Sequence, residues 1–218
     1  MKQWSTLVLL ICLFACKNVD EEQSSMPNQQ AEFSCDPQDF RYTGQTGCDG
    51  QVYPDPVSSD YILPYAVGKA YKTGLVNCSF SYHAPGQPDQ YAFDFDMPEG
   101  ATFTAARSGR VRRVLNSAPS AGGGAGNYVL IDHGDNTFAY YLHSPRNGIS
   151  VAVGQEVEQG EVLGVTGRSG LAGYPHLHFI VVKGQPDYPY QGLPVSFKNA
   201  IPSDVVLQSA VTYTACNY

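Results

Sequence analysis

The stretch Asn127-Tyr128-Val129-Leu130-Ile131-Asp132, followed by His133-Gly134-Asp135-Asn136 and then Thr137-Phe138-Ala139-Tyr140-Tyr141-Leu142, decides the fold class. Two runs rich in β-branched and aromatic residues flank a cluster of turn formers. That pattern predicts an antiparallel hairpin with its turn at Gly134-Asp135-Asn136. Working outward, Thr102 to Ala105, Gly109 to Leu115, Val151 to Val153, Val162 to Thr166 and His176 to Val182 are further strand candidates. No long window carries a helical period. The expected architecture is all-β, a small antiparallel sandwich or barrel-like domain beginning near residue 76. Composition agrees, since 15 Tyr, 22 Gly and 15 Pro suit short strands and many turns. The Gly-rich stretch 117–126 has no Gly-Lys-Ser/Thr after it. It reads as a flexible hairpin loop that would form the rim of any cleft, not as a phosphate cradle.

The chain has 218 residues, of which 43% are hydrophobic and 15% charged, enough apolar material for one buried core. Twenty Asp+Glu against 13 Lys+Arg leave a net charge of -7, which argues against nucleic acid as a partner. Lys2 followed by the apolar run Leu7 to Ala15 reads as an export signal, too short to span a bilayer as a mature helix. It ends Leu13-Phe14-Ala15-Cys16, which resembles the bacterial lipobox, and implies removal of residues 1–15 and lipid on Cys16. Acyl chains there would hold the protein to a membrane, at about 0.8 kcal/mol for each buried methylene. Lys17 rather than Asp follows, which resembles the default for the periplasmic face of an outer membrane.

Residues 16–32 form a polar tether, and residues 33–75 an irregular lead-in rich in Pro, Gly, Asp and Tyr. Of the six Cys, Cys12 falls in the signal and Cys16 at the anchor. The remaining Cys35, Cys48, Cys78 and Cys216 allow three pairings in an exported chain. The favoured one is Cys35–Cys48 as a short local loop, with Cys78–Cys216 tying down the C-terminus.

Histidine placement carries the chemistry. In His176-Leu177-His178-Phe179 alternation puts both imidazoles on one strand face, about 6.8 Å apart, so one or both can ligate a metal. In Tyr91-Ala92-Phe93-Asp94-Phe95-Asp96 the two carboxylates share a face between aromatic residues, which suits either a buried partner or a metal. By the same parity Tyr141 and His143 share a face, with His143 at a strand end beside a loop.

A collinear set of segments makes the reading specific. It runs through Tyr91-Ala92-Phe93-Asp94-Phe95, Met97-Pro98-Glu99-Gly100-Ala101, Ala105 to Val111 and Gly126 to Gly134. It continues through Tyr140-Tyr141-Leu142-His143, Val153 to Val157, Gly164 to Gly170 and Pro175-His176-Leu177-His178-Phe179. The set resembles the lysostaphin-like (LytM-type) zinc metallopeptidases, which cleave peptidoglycan peptides. The resemblance implies a duplicated hybrid motif as the fold of residues 76–218. It implies zinc as cofactor, held by His83, Asp94 and His178, with His143 and His176 as the catalytic histidines. Three protein ligands leave one position open for a water whose pKa zinc lowers toward about 7. His133 is implied to be structural, and Asp96 a hydrogen-bonding neighbour.

One position departs from the pattern. Most members carry the first ligand four residues before the Asp, where this chain has Gln90. His83 would have to return across Ala84-Pro85-Gly86-Gln87-Pro88-Asp89, as in a branch of the family with a similar Tyr-Ala-x-Asp-Phe segment. The expected function is a zinc-dependent endopeptidase acting on peptidoglycan stem peptides or cross-bridges. It is expected to be a periplasmic lipoprotein and monomeric. The alternative is a non-catalytic cell-wall-binding or amidase-activating domain of the same fold, and a third reading is a zinc peptidase acting on proteins.

Overall fold

The computed structural model describes Met1, Cys35 and residues 47–218. All but Met1 belong to one unit, Glu32–Tyr218. The expected signal peptide after Met1, the anchor at Cys16 and the tether lie outside the described residues. Among those described, no helix is long and apolar enough to cross a membrane.

The chain is nearly all β. In order come β1 (Ala70–Lys72), β2 (Phe93–Phe95), β3 (Thr102–Thr104), β4 (Gly109–Leu115) and β5 (Ala121–Gly122). Next are β6 (Asn127–Asp132), β7 (Thr137–Ser144), β8 (Glu156–Val157), β9 (Val162–Val165) and β10 (Arg168–Ser169). The last are β11 (Leu177–Lys183), β12 (Gln191–Gly192), β13 (Ala200–Ile201) and β14 (Thr212–Ala215). The expected hairpin is present as β6–β7, with Gly134 and Asn136 at positive φ in its turn. One large sheet runs β12-β11-β7-β6-β4-β8, and β2 pairs with β11 along the edge that β12 leaves open. Smaller sheets β1-β14-β13 and β3-β9 accompany it.

Alternation along the large sheet separates two apolar layers. Leu177, Phe179 and Val181 of β11 pack with Phe93, Phe95, Val129, Tyr141 and Phe197 in the main core. Leu63 and Tyr65 from the lead-in and Tyr213 from β14 complete that core, so the segment ahead of residue 76 is part of the packed structure. Ile180 and Val182, on the opposite face of β11, join Ala92, Leu130 and Tyr140 in a second cluster. The first layer stabilises the molecule. The second floors the cleft described below.

Two expectations are corrected. Residues 151–153 form no strand, because the Gln155 N–H bonds back to the Ala152 carbonyl and turns the chain there, although Val151 stays buried. The disulfides are Cys35–Cys216 and Cys48–Cys78, not the pairs favoured above. A short loop gains little from proximity, since closure entropy grows only with the logarithm of length. What decides is placement. Cys48 and Cys78 both approach Gln90, through the Cys48 Sγ and the Cys78 N–H, while Cys216 lies beside Asn199 at the end of β14.

The loop 117–126 is more ordered than a plain hairpin loop, since β5 within it pairs in parallel with β10. Gly126 is required where it stands. A Cβ there would lie 2.7 Å from the Ser169 carbonyl oxygen, and its φ is +71°.

Candidate metal centre and cleft

The site is built on the face of β11 that turns away from the main core. His178 lies on that face, and the register of β2 sets Asp94 directly opposite it. Phe93 and Phe95 are drawn into the core, which leaves Asp94 on the side of His178. The His178 Nδ1–H donates to Asp94 Oδ1 at 2.9 Å.

His83 reaches the same oxygen. It ends a 3₁₀ turn, Ser81–His83, that begins shortly after the Cys48–Cys78 disulfide. Successive turns then fold the excursion back, with Gln87 N–H on the Ala84 carbonyl and Gln90 N–H on the Gln87 carbonyl. His83 is 1% exposed, and its Nε2 stands 3.4 Å from Asp94 Oδ1. Gln90 serves the loop instead, since its Oε1 accepts from the Gly86 N–H at 2.8 Å.

His143 arrives by a route that alternation does not predict. Tyr128 pairs with Leu142 and Asn127 with Ser144, so His143 is the extra residue of a β-bulge. Its φ is +75°, a backbone region that costs an ordinary L-residue energy. The expectation that Tyr141 and His143 share a face is therefore corrected. Tyr141 is in the main core, where its hydroxyl accepts from the Ala106 N–H, while His143 swings into the cleft. The His143 ring lies 4.6 Å from that of His176 and 5.7 Å from that of His178. The His143 Nδ1–H donates to the Ser169 carbonyl at 2.8 Å, and the His176 Nδ1–H donates to the Tyr174 carbonyl at 2.9 Å. Each ring is thus held in the tautomer that leaves Nε2 with its lone pair. Ser169 is itself fixed, because its hydroxyl donates to the Ser144 carbonyl and accepts from the Asn127 N–H.

Electrostatics divide these side chains. Burial pushes His143 down to about 3, assisted by the neighbouring His178 and His176, and burial also lowers His176. Burial opposes charge on His178 as well, but hydrogen bonds and the fields of Asp89 and Asp94 overcome it and push it up to about 10. Burial would raise Asp94, yet its contacts with His178 and His83 hold it well below the usual carboxylate range.

Two overlapping groups could hold a cation, His83–Asp94–His178 and His143–His176–His178, each with its ligand atoms within 4.8 Å of one another. Only the first contains an anionic donor. Bonds of about 2.0–2.1 Å to a tetrahedral zinc imply donors about 3.3 Å apart. The 3.4 Å and 2.9 Å separations from Asp94 Oδ1 are close to that value, so this donor set fits zinc.

Other residues of the site carry no sequence signal of their own. Asp89 lies 3.7 Å from His178 Nε2 and accepts a short hydrogen bond from the Tyr190 hydroxyl. The Tyr174 ring lies against that of His176, tilted by 33° at a centroid distance of 4.6 Å. His133 stands apart, donating from Nδ1 to the Ser108 carbonyl at 2.9 Å, and Asp96 pairs with Lys72 at 3.0 Å. The cleft, about 660 Å³, is lined by His83, His143, His176 and His178, by tyrosines that include Tyr128, Tyr140 and Tyr190, and by Gly124 and Ala125 of the Gly-rich loop.

Comparison with known proteins places this cleft in context. Residues 89–189 match the model of Peptidase family M23. Peptidoglycan DD-endopeptidase ShyA of Vibrio cholerae is 37% identical over 94 residues, 43% of this chain and 20% of that protein. Lysostaphin of Staphylococcus simulans is 32% identical over 89 residues, 41% of this chain and 17% of that protein. The chain thus spans about a fifth of the length of the curated relatives it matches. Among solved structures, the catalytic domain of the prophage-encoded M23 protein EnpA from Enterococcus faecalis is 25% identical, with a TM-score of 0.48. That likeness covers 61% of this chain and 94% of the other.

Proposed function

We propose that this protein is a zinc-dependent endopeptidase that hydrolyses peptide bonds of peptidoglycan stem peptides or cross-bridges. In this reading residues 76–218 are the metallopeptidase domain. Removal of residues 1–15 leaves Cys16 lipidated, and the tether 16–32 holds the domain at the periplasmic face of an outer membrane. The observation that carries the reading is the return of His83 to Asp94 Oδ1, which completes a His–Asp–His trio beside two further histidines. The match of residues 89–189 to Peptidase family M23 and the kinship with ShyA and lysostaphin support the substrate class.

His83, Asp94 and His178 would hold the zinc. Bound there, zinc would act as a Lewis acid, acidifying a coordinated water and polarising the scissile carbonyl. His143 and His176 do the proton work. Burial keeps both rings neutral, and their Nδ1–H groups are tied to backbone carbonyls. Each therefore presents an Nε2 lone pair to take a proton from the attacking water, to pass it to the leaving amine, or to donate to the developing oxyanion once protonated. The open cleft, lined by tyrosines and by the Gly-rich loop, gives an extended peptide room to lie along the sheet.

The test is metal analysis joined to digestion of purified peptidoglycan sacculi. One zinc per chain and release of soluble muropeptides are expected, with His178→Ala losing both. Undiminished digestion by that variant refutes the assignment. A chain that binds the wall without zinc and without cleavage is the non-catalytic alternative.

A further inference from the structure

Alternation along β4 is broken once. Val111 pairs with Ile131 and Arg113 with Leu130, so Arg112 is the extra residue of a second bulge. Without that residue Arg113 would share the face of Val111, which belongs to the main core. With it, Arg113 joins the row Arg113–Leu130–Tyr140–Ile180 on the cleft face. The neighbouring row is Leu115–Tyr128–Leu142–His178–Asp94. The same device that turns His143 into the cleft thus turns a guanidinium into it as well.

The rows fix the distance. β4 lies three strands from β11, about 14 Å at about 4.8 Å per strand. Tyrosines floor the path between them. Tyr140 packs against Tyr128 at 5.4 Å and against Tyr190 at 5.6 Å. Among the described residues lining the cleft, Arg113 is the one Lys or Arg, in a chain of net charge -7. Its Nη1 pairs with Asp187 Oδ1 at 3.0 Å, but the two side chains are 41% and 67% exposed. So open an ion pair contributes little. A guanidinium carries five N–H donors in a planar fork suited to a carboxylate. A second carboxylate can therefore bind beside Asp187 or displace it.

We propose that this tyrosine-floored arm is a substrate subsite in which Arg113 grips a carboxylate about four residues along an extended peptide from the scissile bond. The spacing follows from about 3.3–3.6 Å per extended residue. The inference rests on the endopeptidase reading and names a substrate feature for it, a free carboxylate remote from the reacting carbonyl. An aromatic floor makes the peptide lie flat, and the charge at its end sets the register.

The experiment uses peptidoglycan sacculi in two forms, native and with carboxylates amidated by carbodiimide and ammonium ion. Zinc-loaded protein is assayed for digestion, and metal-free protein for cosedimentation with each form. Expected are at least a tenfold higher kcat/KM on native sacculi, expressed in KM, and stronger cosedimentation with them. Arg113→Gln should erase both preferences, while Arg113→Lys, which keeps the charge and loses the fork, should retain part of them. Equal digestion and equal cosedimentation of the two forms by the natural protein overturn the subsite, and so does a preference that survives Arg113→Gln. Absence of digestion with the cosedimentation preference intact overturns the endopeptidase reading and leaves the subsite standing.

Discussion

Replacing His143 by Gly and, separately, by Ala measures the strain that turns this residue into the cleft. Both substitutions remove the imidazole and its hydrogen bond to the Ser169 carbonyl, so those losses cancel in the comparison. What remains is backbone. At φ +75° an L-residue pays about 1–2 kcal/mol, whereas glycine is at ease there. Glycine returns about 0.5–1 kcal/mol of this through its greater freedom in the unfolded chain. The Gly variant should therefore be more stable than the Ala variant by about 1 kcal/mol. With a urea m-value of about 2 kcal/mol/M, that is a midpoint about 0.5 M higher. Urea titration of the metal-free proteins, followed by tyrosine fluorescence or circular dichroism, reads it directly. His143→Asn should fall between the two, since Asn tolerates this backbone region better than most residues. All three should lose at least about a hundredfold in hydrolysis, the lower end of what a positioned acid–base group contributes. An Ala variant as stable as the Gly variant would show that the bulge holds His143 without strain and would sink the argument.

Three further outcomes are expected. Phe179→Ala, at a fully buried position of β11, should destabilise the protein by about 3–5 kcal/mol in the same titration. Asp89→Asn should weaken zinc about ten- to a hundredfold in a competition assay with a chromophoric chelator, because Asp89 faces the outer nitrogen of His178; unchanged affinity would remove Asp89 from the support of the site. Burial acts to raise the Asp135 carboxyl, but hydrogen bonds from Thr137 and Arg107 and the charge of Arg107 together overcome it and lower it to about 2. Its folded pKa lies below its unfolded one, so the stability it adds is present above about pH 4 and lost as pH falls toward about 2. Asp135 is largely solvated, so Asp135→Asn should lower stability at pH 7 by less than about 1 kcal/mol and by nothing measurable at pH 2.

Legibility followed the physics of each element. β4 and β6 match their expected limits, Gly109–Leu115 and Asn127–Asp132, because turn formers bound each run at both ends. The 151–153 segment misled because a buried Val in a turn looks like a strand residue. The disulfides misled because pairing depends on where the chain returns in space, and the local loops of the lead-in are silent about that. Period two alone sets His176 with His178 on one face and Asp94 with Asp96 on another, while the meeting of Asp94 with His178 comes from the register of β2 on β11. His143 could not be placed this way, since a bulge inserts one residue and reverses parity beyond it. Arg113 was hidden for the same reason, and Asp89 because a Pro/Gly loop has no period at all. His83 was nominated by likeness to a family, and the turns that return it are visible only in three dimensions.

The interleaving of β11 has a consequence for how this molecule can vary. Core and chemistry alternate there at single-residue steps, Leu177 and Phe179 inward, His178 outward. Deleting or inserting one codon within the strand would exchange the two roles at a stroke, exposing the oily layer and burying the reactive imidazole. Exchanges confined to outward positions away from the histidines would leave the inward layer untouched. Drift should therefore recolour the groove side by substitution while the reading frame of the strand stays locked.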